Sequence, residues 1–170
     1  KLSYATSNAG SLVSSEWMKA IAQVDIVGVP YNANPTALND LVARRLQLMF
    51  PDQNSAAPLI RGGKLRLLAV TGIDRSRLFP DAPTMQESGF KGFTINVWSG
   101  VYGPAAMSSA IVERLNGAID MALKDPALQD KLNATGNVIA YLGPAEFARF
   151  GQAELDVWKR AIAAAKIELQ

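Results

Sequence analysis

Residues 29–50 read VPYNANPTALNDLVARRLQLMF, and this stretch decides the expected fold. It begins as a short buried strand and then turns between Pro30 and Pro35. A helix is predicted from near Thr36, and a second strand is predicted over Leu46–Phe50. In a βαβ unit the turn after the first strand faces solvent at the carboxyl end of a parallel strand, where α/β proteins bind small molecules. The stretch therefore predicts an α/β protein with a binding edge.

The flanking sequence continues this alternation of apolar runs and helical periodicity. Helices are expected from Ser11, before Gly62, near Thr84–Ser88 and over most of the chain after Ser108, with Pro144 in the first turn of the last one. Strands that alternate with helices on short connections predict a parallel-rich sheet. The further predicted strands are Leu2–Ala5, Asp25–Val29, Leu65–Thr71, Ile95–Tyr102 and Val138–Leu142.

Composition limits the chemistry of the chain. Its 170 residues, 49% of them apolar, can bury a core as one domain or as two small lobes. The 17 basic and 15 acidic residues give a net charge of +2 without a basic run, so charge indicates no nucleic-acid partner. Cysteine and histidine are absent, which excludes a thiol nucleophile and a Ser-His-Asp triad. No carboxylate pair or activated nucleophile is apparent, so we expect no enzymatic activity, metal or cofactor.

Two features bear on how the chain is organised. No apolar run approaches the ~20 residues that a membrane span needs. The first residues, Lys1-Leu2-Ser3-Tyr4, resemble neither a signal peptide nor a natural start, so a cleaved leader or a missing amino-terminal region is expected. The change in composition near residues 93–98 is the predicted boundary between lobes.

The predicted turn Thr6–Ser11 has small polar side chains around Gly10, between a strand and a helix. Such a turn exposes backbone N–H groups at the positive end of a helix dipole and can bind a carboxylate or phosphate without a charged side chain. The alternative is an ordinary turn in which Ser11 caps the helix.

Two further turns have the same character. Within Pro30–Pro35, Tyr31 offers a hydroxyl, and Asn32 and Asn34 offer amides, although turns favour asparagine and proline for backbone reasons alone. Asp52 either contacts a cationic or hydroxyl group of a ligand or acts as a favourable charge at a helix start. On successive parallel strands the three turns would line one edge of the sheet, and this convergence is the strongest signal of a site.

Taken together, these segments resemble the periplasmic substrate-binding proteins of tripartite tricarboxylate transporters, also called the Bug family. The resemblance covers nearly the whole chain, in order, including an Asp-Ala-Pro-Thr turn and the Glu-Ser-Gly-Phe that follows it. The strings that carry it are KLSYATSNAGS, VPYNANPTALNDLV, QLMF, LIRGGKLRLLAVTGIDRSRLFPDAPTMQESGFKGF and WSGVYGPAAMSSAIVERLNGAI.

The resemblance implies a periplasmic-binding-protein-like (type II) α/β fold. It further implies two lobes that hold a ligand carboxylate through backbone amides and small hydroxyls of strand-to-helix turns. The family's binding turns correspond here to the ligand-binding candidates Thr6, Ser7, Asn8, Gly10, Ser11, Tyr31, Asn32 and Asp52.

This sequence departs from the family pattern in three respects. The usual Lys-Gly after Pro-Tyr is Asn32-Ala33, which removes a positive charge, and the helix after Ser11 is shorter and lacks a histidine. The family's amino-terminal part, with its Pro-Phe and Gly-Gly carboxylate loop, has no counterpart. Residues 1–96 would form the second, ligand-facing lobe, complete in itself. Residues 97–170 would supply the returning strand and helices, the carboxyl-terminal part of a truncated first lobe.

The function implied by the resemblance is capture of a small organic carboxylate, mono-, di- or tricarboxylate, in the periplasm for delivery to the membrane subunits of a transporter. One alternative is a ligand-sensing effector domain of a transcription regulator, although residues 1–170 show no trace of the winged helix-turn-helix that would distinguish it. Another is a truncated interaction or oligomerisation module that binds no ligand. Because the apolar helix faces in residues 108–170 need a cover, we also expect a homodimer.

Overall fold

A parallel sheet of three strands forms the centre of the amino-terminal part of the chain in the computed structural model, which describes residues 1–167. Strand β1 (Ser3–Thr6) lies between β2 (Val27–Pro30) and β3 (Leu48–Met49). In the register of the sheet, Tyr4 pairs with Gly28 on one side and with Leu48 on the other. The three strands therefore point the same way, with β1 in the middle.

Helices connect and follow these strands. Helix α1 (Ala9–Ala22) joins β1 to β2, α2 (Asn34–Val42) joins β2 to β3, and α3 (Gln53–Arg61) follows β3. Helix α2 begins two residues before the predicted Thr36, and the pattern of strands and helices in this part of the chain is confirmed. The remaining helices are α4 (Ser109–Leu123), α5 (Pro126–Ala134) and α6 (Pro144–Ala165). Among residues 1–167, none of the helices is both long and apolar enough to cross a membrane.

The first core cluster packs α2 and α3 on the sheet. It comprises Ala5, Ala37, Leu38, Leu46, Met49 and Ala56, all buried. Small side chains from the strand and helix allow close approach, and the partly buried Val29, Tyr31 and Leu41 pack around them. This cluster fixes the positions of the turns that follow β1, β2 and β3.

The second core cluster is built around Phe93, which is fully buried. Its ring stacks on Trp17 of α1 at a centroid distance of 4.7 Å. Val13, Ile95 and Ala161 are buried in the same cluster, so α1 and the end of α6 share one core. The aromatic stacking adds about 0.5–1.5 kcal/mol to the stabilisation from area burial alone.

The chain divides into two compact units. The first contains Lys1–Val97 together with residues 157–167, and the second contains Trp98–Asp156. Within the second unit, Trp98 packs edge-on against Phe147 and Phe150 and donates to Glu154 Oε2 at 3.1 Å. No side chain in this 98–156 segment is buried. The assignment of residues 1–96 and 97–170 to two lobes remains a prediction.

Three predicted strands are absent from residues 1–167. Leu65–Thr71 forms only a single bridge, Val70 to Thr84, and on one side of it Pro83 has no N–H with which to extend the ladder. Ile95–Tyr102 contributes one backbone bond, from Ile95 N to Thr71 O at 3.0 Å, and then runs without a partner strand. Val138–Leu142 likewise forms no ladder with any of residues 1–167.

The predicted helix at Thr84–Ser88 is a set of hydrogen-bonded turns instead. The Ser88 amide donates to the Thr84 carbonyl at 3.0 Å, and the chain then reverses at Gly89, whose φ is +98°. Glycine adopts this left-handed conformation without steric cost, so the segment stops after one turn.

Candidate functional site

The turns after the three strands lie at one edge of the sheet. Because the strands are parallel and adjacent, the segments after Thr6, Pro30 and Met49 all leave the carboxyl edge. The Tyr31 amide donates to the Thr6 carbonyl at 2.7 Å, which ties the first two turns together. The expectation that the three turns share an edge is therefore met in the structure.

The first turn contains a reciprocal cap at the start of α1. Asn8 is the N-cap, and its side chain accepts from the Ser11 amide at 2.8 Å. The Ser11 hydroxyl accepts from the amides of Ser7 (2.8 Å) and Asn8 (3.1 Å). The prediction that Ser11 is the N-cap is therefore wrong. Ser11 is the third helical residue, where it is buried and completes a capping box with Asn8.

This cap decides which amides remain available to a ligand. The amides of Ser7, Asn8 and Ser11 have protein partners. Those of Ala9 and Gly10 lie in the first helical turn, which offers no acceptor further back in the helix, and they have no partner among residues 1–167. The predicted amide cluster is therefore reduced to two N–H groups at the positive end of the α1 dipole.

The second turn directs its aromatic side chain away from this cluster. The Tyr31 hydroxyl donates to Asp40 Oδ2 at 2.8 Å, and Arg45 pairs with Asp40 Oδ1 at 2.9 Å. The hydrogen bond from Tyr31, followed by that from Arg45, lowers the pKa of Asp40 below its usual range. The same bond raises the pKa of Tyr31. The Tyr31 hydroxyl is thus engaged by α2, and Asn32 is exposed without a hydrogen bond to any described residue.

The residue that connects the three turns is Asn34, which the sequence prediction treats only as a turn amide. The Ser7 hydroxyl donates to Asn34 Oδ1, and Asn34 Nδ2 donates to Asp52 Oδ2. Asn34 is only 9% exposed. A sequence signal for it exists, because Asn-Pro at the start of α2 places this asparagine in the first helical turn, at the sheet edge.

Asp52 does not cap the helix that it precedes. It occupies the N-cap position of α3, but its side chain makes no capping hydrogen bond there. Its Oδ2 accepts from Asn34 instead, and its Oδ1 has no partner in the part of the chain that the structure describes. The structure thus brings together Ser7, Asn34 and Asp52 beside the cap of α1. No group of acidic residues in the described chain could hold a metal ion.

The comparisons with known proteins identify the family. The sequence profile described as "Tripartite tricarboxylate transporter family receptor" matches residues 1–167. The chain belongs to this family. A curated relative from Pseudomonas sp. strain P51, the UPF0065 protein in the tcbD-tcbE intergenic region, is 33% identical over 165 residues. The match covers 95% of this chain and 49% of that protein.

Solved structures agree with this assignment. An R. palustris protein solved with adipate superposes with a TM-score of 0.88 at 28% identity, over 98% of this chain and 56% of that one. The periplasmic binding protein BugD gives a TM-score of 0.87 at 26% identity, over 99% and 58%. The predicted family and the α/β, periplasmic-binding-protein-like fold are confirmed. The chain spans about half the length of these proteins.

Proposed function

We propose that this chain forms part of a periplasmic solute-binding receptor that captures a small organic carboxylate and presents it to the membrane subunits of a tripartite tricarboxylate transporter. The observation that carries the proposal is the pair of unpartnered amides, Ala9 and Gly10, at the edge where the three turns converge. Family membership and the adipate complex of a structural neighbour support the ligand class. The proposed role involves binding and release, without catalysis.

The proposed binding mode uses backbone rather than side-chain charge. The amides of Ala9 and Gly10 donate to one carboxylate, and the dipole of the 14-residue α1 favours its negative charge. The capping box fixes the orientation of both amides, because Asn8 and Ser11 immobilise the first turn. Two donors held in fixed positions select a ligand by the geometry of its carboxylate. Because no charged side chain takes part, the ligand can also dissociate readily.

Affinity of the isolated chain is expected to be weak. Asn8, Asn32 and Asp52 are exposed, so a bound carboxylate keeps much of its hydration shell. Each charge-assisted hydrogen bond contributes roughly 1.5–3 kcal/mol, so two of them total roughly 3–6 kcal/mol, and the lost freedom of the ligand reduces this sum to a dissociation constant of about millimolar or weaker. Calorimetry with a panel of di- and tricarboxylates should give nothing tighter, and a micromolar ligand would contradict this expectation.

The decisive variant is Ala9→Pro. Proline at the first helical position removes the Ala9 N–H while preserving the helix, and the extended Asn8 before it (φ −159°, ψ 174°) has the conformation that proline requires of its predecessor. We expect this variant to lose the chemical-shift response to succinate in amide NMR spectra at unchanged helix content. Ala9→Gly keeps the N–H and is the matched control. Equal succinate binding by parent and Ala9→Pro would refute the proposed site.

A further inference from the structure

The hydrogen-bond chain through Asn34 has only one possible direction. Asp52 is a carboxylate that accepts and does not donate, so its partner must be the Asn34 amide nitrogen. The Asn34 oxygen then faces Ser7, and the Ser7 hydroxyl must donate its single proton to it. Because only 9% of Asn34 is exposed, water does not compete freely for these two hydrogen bonds.

This direction gives the edge two chemically different ends. At one end, the backbone amides of Ala9 and Gly10 are donors without a protein partner among residues 1–167. At the other end, the Ser7 hydroxyl already donates its proton to Asn34, so only its lone pairs can bind a ligand. Asp52 offers its second carboxylate oxygen, Oδ1, as a further acceptor. The side chains that Asn34 joins therefore offer acceptors to a ligand and no donor.

The acceptor end carries the negatively charged side chain of Asp52. The second turn supplies no cation, because Asn32 is uncharged and Arg45, which lies beyond the end of α2, pairs with Asp40. A second ligand carboxylate placed beside Asp52 would meet a like charge, which disfavours binding. A hydroxyl or ammonium group in the same place would donate to Asp52 instead, and a charged partner strengthens such a bond.

We infer that this edge selects carboxylates that carry a hydrogen-bond donor, namely hydroxycarboxylates and amino acids, over unsubstituted dicarboxylates of the same length. Asp52 is the specificity-determining residue, and Asn34 is the positioning residue that holds Asp52 and orients the Ser7 proton away from the ligand. The inference rests on the proposed function, since it assumes that a ligand carboxylate occupies the Ala9 and Gly10 amides.

The test uses succinate, malate and aspartate, which share one four-carbon skeleton and differ by a single hydrogen, hydroxyl or ammonium group. Amide NMR titrations of the full chain measure each dissociation constant. One charge-assisted hydrogen bond corresponds to about a tenfold difference or more, so malate and aspartate should bind about tenfold more tightly than succinate. The ratio between ligands is the readout, because a general loss of structure weakens all three alike.

Two variants assign the preference to residues. Asp52→Asn removes the charge at an exposed N-cap position that asparagine suits, and it should bring the malate-to-succinate ratio close to one. Asn34→Ala should reduce the same ratio by releasing Asp52, whereas Asn39→Ala, at an exposed asparagine further along α2, should leave it unchanged. If Asn34→Ala does not fold, the malate-to-succinate ratio measured for Asp52→Asn tests the inference by itself.

The outcomes separate this inference from the proposed function. The inference would be overturned if succinate bound as tightly as malate and aspartate. If Ala9→Pro then bound none of the three ligands, the proposed function would still stand. A preference that survives in Asp52→Asn would overturn the role of Asp52. If none of the three ligands perturbs the amides of α1, the proposed function fails and the inference fails with it.

Discussion

Gly28 of β2 lies against the ring of Tyr4 on the neighbouring strand. A Cβ at position 28 would be 2.7 Å from the Tyr4 oxygen and 3.0 Å from Cζ. Tyr4 cannot move away easily, because it is 1% exposed and donates to Glu16 of α1. Burial, followed by this hydrogen bond, raises the pKa of Tyr4 well above its usual range.

We therefore expect Gly28→Ala to lower the free energy of unfolding by about 1–3 kcal/mol, the usual cost of overpacking. Gly151→Ala in α6 is the control, since its Cβ would meet nothing within 4 Å and should stabilise the helix by roughly 0.5–1 kcal/mol. Urea denaturation measures both variants. A Gly28→Ala protein as stable as the parent would show that the Tyr4 ring is free to shift.

The contact between Tyr31 and Asp40 makes a prediction about pH. Asp40 has a lowered pKa in the folded protein, chiefly through the hydrogen bond from Tyr31. A carboxyl group of this kind stabilises the fold above its unfolded pKa, and this stabilisation is lost as the pH falls through the folded pKa. Tyr31 has a raised pKa in the folded protein, so its contribution to stability is complete below the ordinary tyrosine pKa. That contribution is lost as the pH rises through the pKa of the folded state.

Tyr31→Phe should raise the pKa of Asp40 toward its ordinary value of 3.8 while leaving a residual lowering from Arg45. Carboxyl-carbon NMR titration measures this directly. Tyr102→Phe, an exposed tyrosine of the second unit, should leave the Asp40 pKa unchanged. An Asp40 that already titrates at its ordinary value in the parent protein would contradict the hydrogen-bonded geometry.

At the scale of elements, the start of α1 depends on one hydroxyl. Ser11 is buried and accepts from the amides of Ser7 and Asn8, so alanine at this position would leave two backbone donors without a partner. Loss of the hydroxyl that completes a helix cap typically costs about 0.5–2 kcal/mol. We expect Ser11→Ala to destabilise the protein by about 1–2 kcal/mol and to weaken carboxylate binding, because the first turn loses its fixed geometry.

The matched control for Ser11 is Ser108→Ala. Ser108 is the N-cap of α4, but its side chain makes no capping hydrogen bond, so its replacement should change stability by no more than ~0.5 kcal/mol. Thermal or urea unfolding followed by circular dichroism compares the two variants. If Ser11→Ala and Ser108→Ala lost the same amount of stability, the hydrogen bonds of the Ser11 hydroxyl would not stabilise the start of α1.

Element prediction succeeded where local pattern was sufficient. The β1–α1–β2–α2–β3–α3 order follows from apolar runs separated by helical periodicity, and each connection is short. Prediction was wrong for Leu65–Thr71 and Ile95–Tyr102, which are apolar enough to be strands. A strand requires a neighbour with free N–H and C=O groups, and neither segment has one among residues 1–167 beyond a single bridge or bond.

At the scale of the whole molecule, the second unit lacks a core. No side chain of residues 98–156 is buried, and Ile111 and Leu115 on one face of α4 are 52% and 48% exposed. Burying each such side chain would contribute roughly 1.5–3 kcal/mol, so a cover for this face is favourable. The homodimer predicted through helices 108–170 would provide one, and it remains a prediction.

Light scattering at micromolar concentration tests this assembly. We expect a mass close to twice the chain mass of 18.2 kDa. The double variant Ile111→Glu, Leu115→Glu should dissociate the dimer, whereas Glu113→Gln on the same helix should not. A parent protein of about 18 kDa at that concentration would refute the homodimer.

The sequence by itself determined the α/β order, the family and the edge at which the three turns meet. Those properties depend on short-range patterns, since periodicity sets each element and parallel βαβ connections place every turn at the same edge. The roles of individual site residues depended on the tertiary structure. Asn34 meets Ser7 and Asp52 across 27 and 18 residues of sequence, and it does so because β1 lies between β2 and β3. Strand order and register decide such contacts, and no local pattern around Asn34, Tyr31 or Ser11 encodes which partner the fold will bring to each.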